Sequence, residues 1–190
     1  MMAPPRILLL AGSTAPAAPA SRLAAAFARE IVFLDAEATL VSLADYPMPL
    51  SDADGSASVP DPAVKLGAML RAHSATFIAT PSVCGGMPAL LRNALEWLAR
   101  AHGRPKTGAP LFALAAVSDD DTGALSALGE LERFAARGFS ATLIGGGLAI
   151  GRAGLAFDAK GRLDDPQLSA RLQALARETV FAARRLVPDS

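Results

Sequence analysis

The chain has 190 residues, 52% of them hydrophobic, enough for one α/β domain with a sizeable core. Its 18 basic and 18 acidic residues give a formal net charge of +0, and no basic block stands out, which argues against a nucleic-acid partner. The single cysteine excludes an internal disulfide framework and fits a reducing compartment.

Arg6 to Ala11 has the composition of a first, buried parallel strand. With Arg6 ahead and Ala15-Pro16-Ala17 behind, it superficially resembles a secretory signal. Its apolar part, Ile7 to Ala11, is shorter than the roughly 7–15 residues of a signal core. No run approaches the roughly 20 apolar residues of a membrane span, so the expected location is the cytoplasm. Gly12 to Ala20 reads as a loop rich in Ala and Pro. A helix from about Ser21 to about Leu34 follows, with Ser21 as N-cap. A second strand runs from about Thr39 to Leu43. Asp45-Tyr46-Pro47-Met48-Pro49 then interrupts regular structure, because two prolines this close continue neither a strand nor a helix. Ser51 to Pro60 is polar and small, the composition of a mobile loop. The second helix spans about Pro62 to His73, with Asp61 available as its cap.

Ala75 to Ala79 reads as a third strand. The chain then turns through Gly85 and Gly86 and enters a helix at Pro88, whose missing N–H is no loss at the first helical position. Leu91, Ala94, Leu95 and Leu98 give that helix one apolar face. Leu111 to Val117 is a fourth strand and Ser118 to Gly123 a loop. Leu125 to Arg137 is a helix with Leu125, Leu128, Leu131 and Phe134 on one face and Gly138 as its terminator. Ala141 to Ile144 begins a fifth strand. Gly145 to Gly147 suits a backbone bulge at its end better than a phosphate loop, and no Gly-x-Gly-x-x-Gly follows strand one. Phe157 to Leu163 reads as a hairpin or loop around Gly161, and the last helix as about Pro166 to Leu186. Strands alternating with helices imply a single α/β domain, a parallel sheet with helices on both faces.

The stretch Thr-Pro-Ser-Val-Cys-Gly-Gly-Met-Pro-Ala-Leu-Leu-Arg-Asn-Ala-Leu-Glu-Trp, Thr80 to Trp97, resembles the signature Thr-Pro-Glu-Tyr-Asn-Gly-Ser-x-Pro-Gly-x-Leu-Lys-Asn-Ala-Ile-Asp-Trp of the NAD(P)H-dependent FMN reductases. Thr80, Pro81, Gly85, Pro88, Leu91, Asn93, Ala94 and Trp97 match outright, and Arg92, Leu95 and Glu96 match in type. The resemblance covers about Arg6 to Asp165. It implies a three-layer flavodoxin-like fold with a five-stranded sheet in the order 2-1-3-4-5. It also implies FMN, NADPH or NADH as co-substrate, a small-molecule electron acceptor, and a homodimer or homotetramer with helix three, bearing Trp97, at a subunit contact.

In that family FMN is held by the loops after strands one, three and four. The first has the pattern Gly-Ser-Leu-Arg-x-x-Ser-x-Asn and binds phosphate, which needs hydroxyl and amide donors, a helix N-terminus and usually a cation. Here Gly12 and Ser13 match, whereas Ala15, Ala18 and Ala20 stand for the Arg, Ser and Asn, and two prolines remove N–H donors. Ser13, Thr14, Ser21 and Arg22 remain as candidates. Arg22 either supplies the missing charge or is a solvated surface residue. The second loop contributes Pro81, Ser82, Val83, Cys84 and Gly85, with Ser82, Val83 and Cys84 replacing the family's Glu-Tyr-Asn. Val83 offers neither stacking nor a hydroxyl. Cys84 is either a redox or covalent site, though no neighbour in sequence would activate its thiol, or a small buried or semi-buried side chain. From the third loop Ser118 and Gly123 fit the family's pattern. Asp119, Asp120 and Asp121 would disfavour an anionic reduced flavin, or cap the next helix through Asp121 or Thr122.

No acid–base catalytic residue and no metal site are legible. His73 and His102 fall near helix C-termini, where a protonated ring is favoured. Two readings follow. One is an oxidoreductase in which the cofactor carries the chemistry. The other is a re-purposed flavodoxin-like protein that binds FMN weakly or not at all.

Overall fold

The computed structural model describes residues 3–52, 55–103 and 108–185. Strand β1 (Arg6–Ala11) pairs in parallel with β2 (Glu37–Val41) and β3 (Ala75–Pro81). β4 (Leu111–Val117) pairs with β3, and β5 (Thr142–Ile150) with β4. The result is a 5-stranded parallel sheet of order β2-β1-β3-β4-β5, the flavodoxin-like arrangement.

Side chains alternate across each strand, so β1 feeds two cores. Ile7 and Leu9 pack on the face covered by α1 (Pro19–Val32) and α5 (Pro166–Arg184). Leu8 and Leu10 pack on the face covered by α2 (Asp61–Ala72), α3 (Ala89–His102) and α4 (Asp121–Gly138). Phe27 of α1 stacks on Phe77 of β3, ring centroids 3.9 Å apart. Each such fully buried side chain contributes about 1.5–3 kcal/mol.

Several element ends differ from the sequence reading, each for a local reason. β2 ends at Val41, and Leu43 begins a 3₁₀ turn, Leu43–Asp45. α1 starts two positions earlier than Ser21, with Ala18 as N-cap and Pro19 at its first position. Ser21 is therefore no cap, and its hydroxyl donates to Ala15 O at 2.8 Å. Asp61 is the first residue of α2 and Pro60 its N-cap, while Pro88 is the N-cap of α3. Asp120, not Asp121 or Thr122, caps α4, its Oδ1 accepting from Gly123 N at 2.7 Å. Leu125 faces outward, 63% exposed, and the buried face is Ala124, Ala127, Leu128, Leu131 and Ala135. Gly138 is the last helical residue rather than the terminator, and the positive φ falls at Ser140. The triple glycine is a bulge inside β5: Ala113 pairs with Ile144 and Ala115 with Leu148, with Gly145 and Gly147 at φ +62° and +65°. Phe157 and Leu163 form an antiparallel bridge around Gly161 at φ +72°. Leu186, the expected end of α5, lies outside the described residues, as do positions 53–54 of the loop after β2.

Two signature residues on α3 hold that loop. Asn93 Nδ2 and Trp97 Nε1 both donate to Pro49 O, at 2.9 and 2.7 Å, and Asn93 Oδ1 accepts from Ser51 N at 2.8 Å. Trp97 is thus fully buried beneath the loop, with Arg100 stacked over its ring at 4.5 Å, and does not reach the surface as a subunit contact would require. Asn93→Ala removes two hydrogen bonds, one part-buried and one exposed. The expected cost is about 1–2 kcal/mol, read as a lower denaturant midpoint, with faster amide exchange at Ser51.

Burial also reverses the expectation for the histidines. His73 bonds Met69 O and Thr39 Oγ1 at 2.6 and 2.8 Å. Its pKa is lowered chiefly by desolvation, with Arg6 adding to the effect and the Met69 carbonyl and Glu37 opposing it. His102 has no hydrogen-bond partner among the described residues, and desolvation followed by Arg71 lowers its pKa. Because folding lowers both values, the unfolded chain takes up protons first as pH falls below 6.5. Stability is complete above that value and is lost as pH drops toward the folded values. Tm is expected to fall between about pH 7 and about pH 5. A His73→Gln, His102→Leu double variant should show a smaller fall in a thermal scan.

Candidate functional site

The loops after β3 and β4 meet in a cleft of about 590 Å³ at the carboxyl ends of the strands. Backbone bonds fix their separation. Ser82 N donates to Val117 O at 2.8 Å, Ser118 N to Ile150 O at 3.0 Å, and Ala153 N to Ser118 O at 2.9 Å. Glycines permit the closest approaches. A Cβ on Gly123 would lie 2.5 Å from Ser118 Oγ and 3.2 Å from Ser82 Oγ. On Gly151 it would lie 1.9 Å from Asp121 Oδ1.

Of the residues expected from sequence, Pro81, Ser82, Cys84, Gly85 and Ser118 line this cleft together. Val83 does not; it is 53% exposed on the outside of the turn. The cause is a tight hairpin. Val83 N donates to Gly86 O at 2.8 Å and Gly86 N to Val83 O at 3.0 Å. Both central residues, Cys84 and Gly85, have positive φ, +52° and +79°, the pattern of a type I′ turn. Cys84 is consequently exposed rather than tucked into the core.

Glu130 of α4 braces the same turn. Its Oε2 accepts from Met87 N at 2.7 Å and its Oε1 from Arg92 Nη1 at 2.5 Å. It lies only 2.6 Å from where a Cβ on Gly86 would stand. Sequence reasoning missed Glu130 because it arrives from another helix and has no motif of its own. It also missed Ser126, which lines the cleft one turn into α4, just after Gly123.

The first loop behaves differently. Its only residue on the cleft wall is Pro19. Ser13 Oγ accepts from Ala15 N at 3.3 Å, and Ala18 N donates to Ala15 O at 3.1 Å. Thr14 is exposed and Ser21 half-buried. Arg22 Nη2 donates to Asp158 O at 2.8 Å and its guanidinium sits 4.7 Å over the Phe157 ring. The structure therefore engages Arg22 with the hairpin after β5. The Asp158 carboxyl there is held below its ordinary pKa, mainly by the Arg162 backbone N–H and also by the Arg162 side chain and Lys160 N.

A flavin ring fits the hydroxyls and backbone of the second and third loops: Ser82, Ser118, Thr122 and Ser126 surround a neutral floor of glycine and proline. The phosphate end is less well served, since among the described residues no cation lines the cleft and its charged wall residues are Asp119 and Asp120. Among the described residues no group of three or more His, Cys, Asp or Glu converges to hold a metal, and no helix is long and apolar enough to cross a membrane.

A family model for NADPH-dependent FMN reductase matches residues 5–154, and the chain belongs to that family. Its cofactor is FMN, with NAD(P)H as co-substrate. The fold is similar to that of the flavoenzyme NAD(P)H:(acceptor) oxidoreductase FerB from Paracoccus denitrificans: TM-score 0.72, 18% identity, 95% of this chain and 98% of that one. It is also similar to RosB solved with 8-demethyl-8-formylriboflavin-5′-phosphate, at TM-score 0.75, 17% identity, 95% of this chain and 79% of that one. The apo form of the NADH:FMN oxidoreductase EmoB gives TM-score 0.66 at 14% identity, over 98% and 91% of the two chains. A comparison with curated protein sequences finds no match.

The left-handed conformation at Cys84 costs about 1 kcal/mol for a side chain that forms no compensating local hydrogen bond. Asn, which the family signature carries at this position, is more readily accommodated there. Cys84→Asn is expected to stabilise the protein by about 0.5–1 kcal/mol, seen as a raised denaturant midpoint with unchanged slope.

Proposed function

We propose that this protein is an FMN-dependent oxidoreductase that takes a hydride from NADPH or NADH and passes electrons to a flavin, quinone or similar small acceptor. The observation that carries this reading is the convergence of Pro81, Ser82, Cys84, Gly85 and Ser118 on one cleft, at the ends of β3 and β4, in a chain of this family. The cofactor, when bound, supplies the hydride and electron chemistry. The chain's own part is to place the ring against the type I′ turn, held by Glu130 and the α3 clamp, and to offer neutral donors along its edge.

A working unit of two or four copies in the cytoplasm completes the proposal. Val83, Leu90 and Leu125 are exposed apolar side chains near the cleft's second loop and the first turns of α3 and α4, the kind of surface a second copy would cover. One observation favours the other reading, a flavodoxin-like protein without turnover: the first loop has lost its polar side chains at Ala15, Ala18 and Ala20 together.

The test is direct. Flavin-stripped protein is titrated with FMN by fluorescence quenching, and NADPH and NADH oxidation is followed with FMN present. Saturable quenching with turnover is expected. The thiol of Cys84, on the cleft wall, should react readily with a disulfide reagent in the free protein and be protected at saturating FMN. No quenching up to high micromolar FMN would replace this proposal with the non-catalytic reading.

A further inference from the structure

The flavin cleft carries one charge imbalance that bears on which flavin it takes. A phosphate monoester is a dianion near neutral pH, and sites built for it present cations or several free N–H groups. Here part of the first loop's polar complement is paired within the loop. Ser21 Oγ donates to Ala15 O, and Ser13 Oγ receives Ala15 N. Ala18 N bonds Ala15 O, and Arg22 N bonds Ala18 O. The side chains of Ala15, Ala17, Ala18 and Ala20 have no polar atom, and Pro16 and Pro19 have no N–H. Arg22, the nearest cation in sequence, is committed to Asp158 O and the Phe157 ring. Where α1 reaches the cleft, the residue on the wall is Pro19. Among the described residues the charges lining the same cleft are Asp119 and Asp120, which repel an anion.

Against this stand the Ala20 and Ser21 N–H groups at the α1 N-terminus, with the partial positive charge of that helix end, which has no acidic residue in its first turn, and the exposed Thr14 hydroxyl. A helix N-terminus improves anion affinity by about two- to fivefold. A single charge-assisted hydrogen bond improves it by about tenfold or more. The hydroxyls and backbone of the second and third loops are untouched by this deficit.

We propose that the cleft recognises flavin by its ring and ribityl chain and is indifferent to the 5′-phosphate, so that riboflavin and FMN are equivalent ligands and substrates. The inference rests on the flavin reading above and names its substrate class. It makes the flavin a species that exchanges with solution, because the part of the molecule that anchors best is the part this chain does not hold.

Stripped protein titrated separately with FMN and with riboflavin under one set of conditions tests it. The expected result is two dissociation constants within about fivefold of each other, and kcat/KM values for NAD(P)H oxidation in the same ratio. A larger preference for FMN overturns the proposal while leaving the flavin reading intact. Failure of both flavins to bind removes the flavin reading itself, and this proposal with it. Arg22→Met, which keeps an aliphatic stem against Phe157, should leave the ratio unchanged. A selective loss of FMN affinity in that variant would assign the phosphate to Arg22 and overturn the proposal by a second route.

Discussion

At Gly12 the chain leaves β1 and passes so close to α3 that a Cβ there would lie 2.9 Å from Leu91 Cδ2 and 3.0 Å from Pro81 Cδ. This contact brings the first loop, the end of β3 and the start of α3 to one point. Gly12 N also bonds Ala79 O at 2.8 Å, carrying the β1–β3 ladder one step past the strand. From that point α3 governs the rest of the cleft's frame. Its Asn93 and Trp97 hold the loop after β2 through Pro49 O, and its Arg92 meets Glu130 of α4, which in turn holds Met87 N. The signature read from Thr80 to Trp97 is therefore largely a docking sequence. Several of its matched residues fix loops around a cleft, while of the residues that depart from it Ser82 and Cys84 line that cleft and Val83 faces away from it.

That division explains what was legible in the sequence. β1 and β4 were readable to the residue because each is a continuous apolar run buried on both faces. The strand order came from resemblance, since alternation alone does not set it. Helix starts were less legible because polar residues near them compete for the cap. Ser21 has the right side chain, but Pro19 two positions earlier already has a suitable φ, and Ala18 suffices as cap. At α4 the sequence reading favoured Asp121 or Thr122 as cap, and only the approach of Gly123 N singled out Asp120 one position earlier. Cys84 was misjudged because composition argues from average burial, whereas a type I′ turn pushes a small apolar residue out; Trp97, read as packing, is buried under the proline-rich loop.

The charges around the cleft follow the same logic of local assignment. Asp120 and Asp121 sit at the N-terminus of α4, where carboxylates complement the helix dipole. Their primary role is structural, and their consequence for a ligand is incidental but physical. The N-terminus of α4 is already supplied with negative charge, while that of α1 is left to alanine and proline. Of the two helix starts that flank the site, one is satisfied from within and the other is only weakly attractive to an anion.

Binding strength in such a site must then come from the ring side. The type I′ turn, the Ser82 and Ser118 hydroxyls and the backbone bonds between the ends of β3, β4 and β5 are rigid and pre-formed. Pre-formed neutral contacts add affinity without the desolvation cost of a buried ion pair. They also discriminate little between ligands that share a planar ring, so a cleft organised this way tolerates variation at the far end of the molecule. The alanines of the first loop and the retained α3 docking residues are compatible because the hydrogen bonds that frame the cleft, from Asn93, Trp97, Arg92 and Glu130, involve no side chain of the first loop.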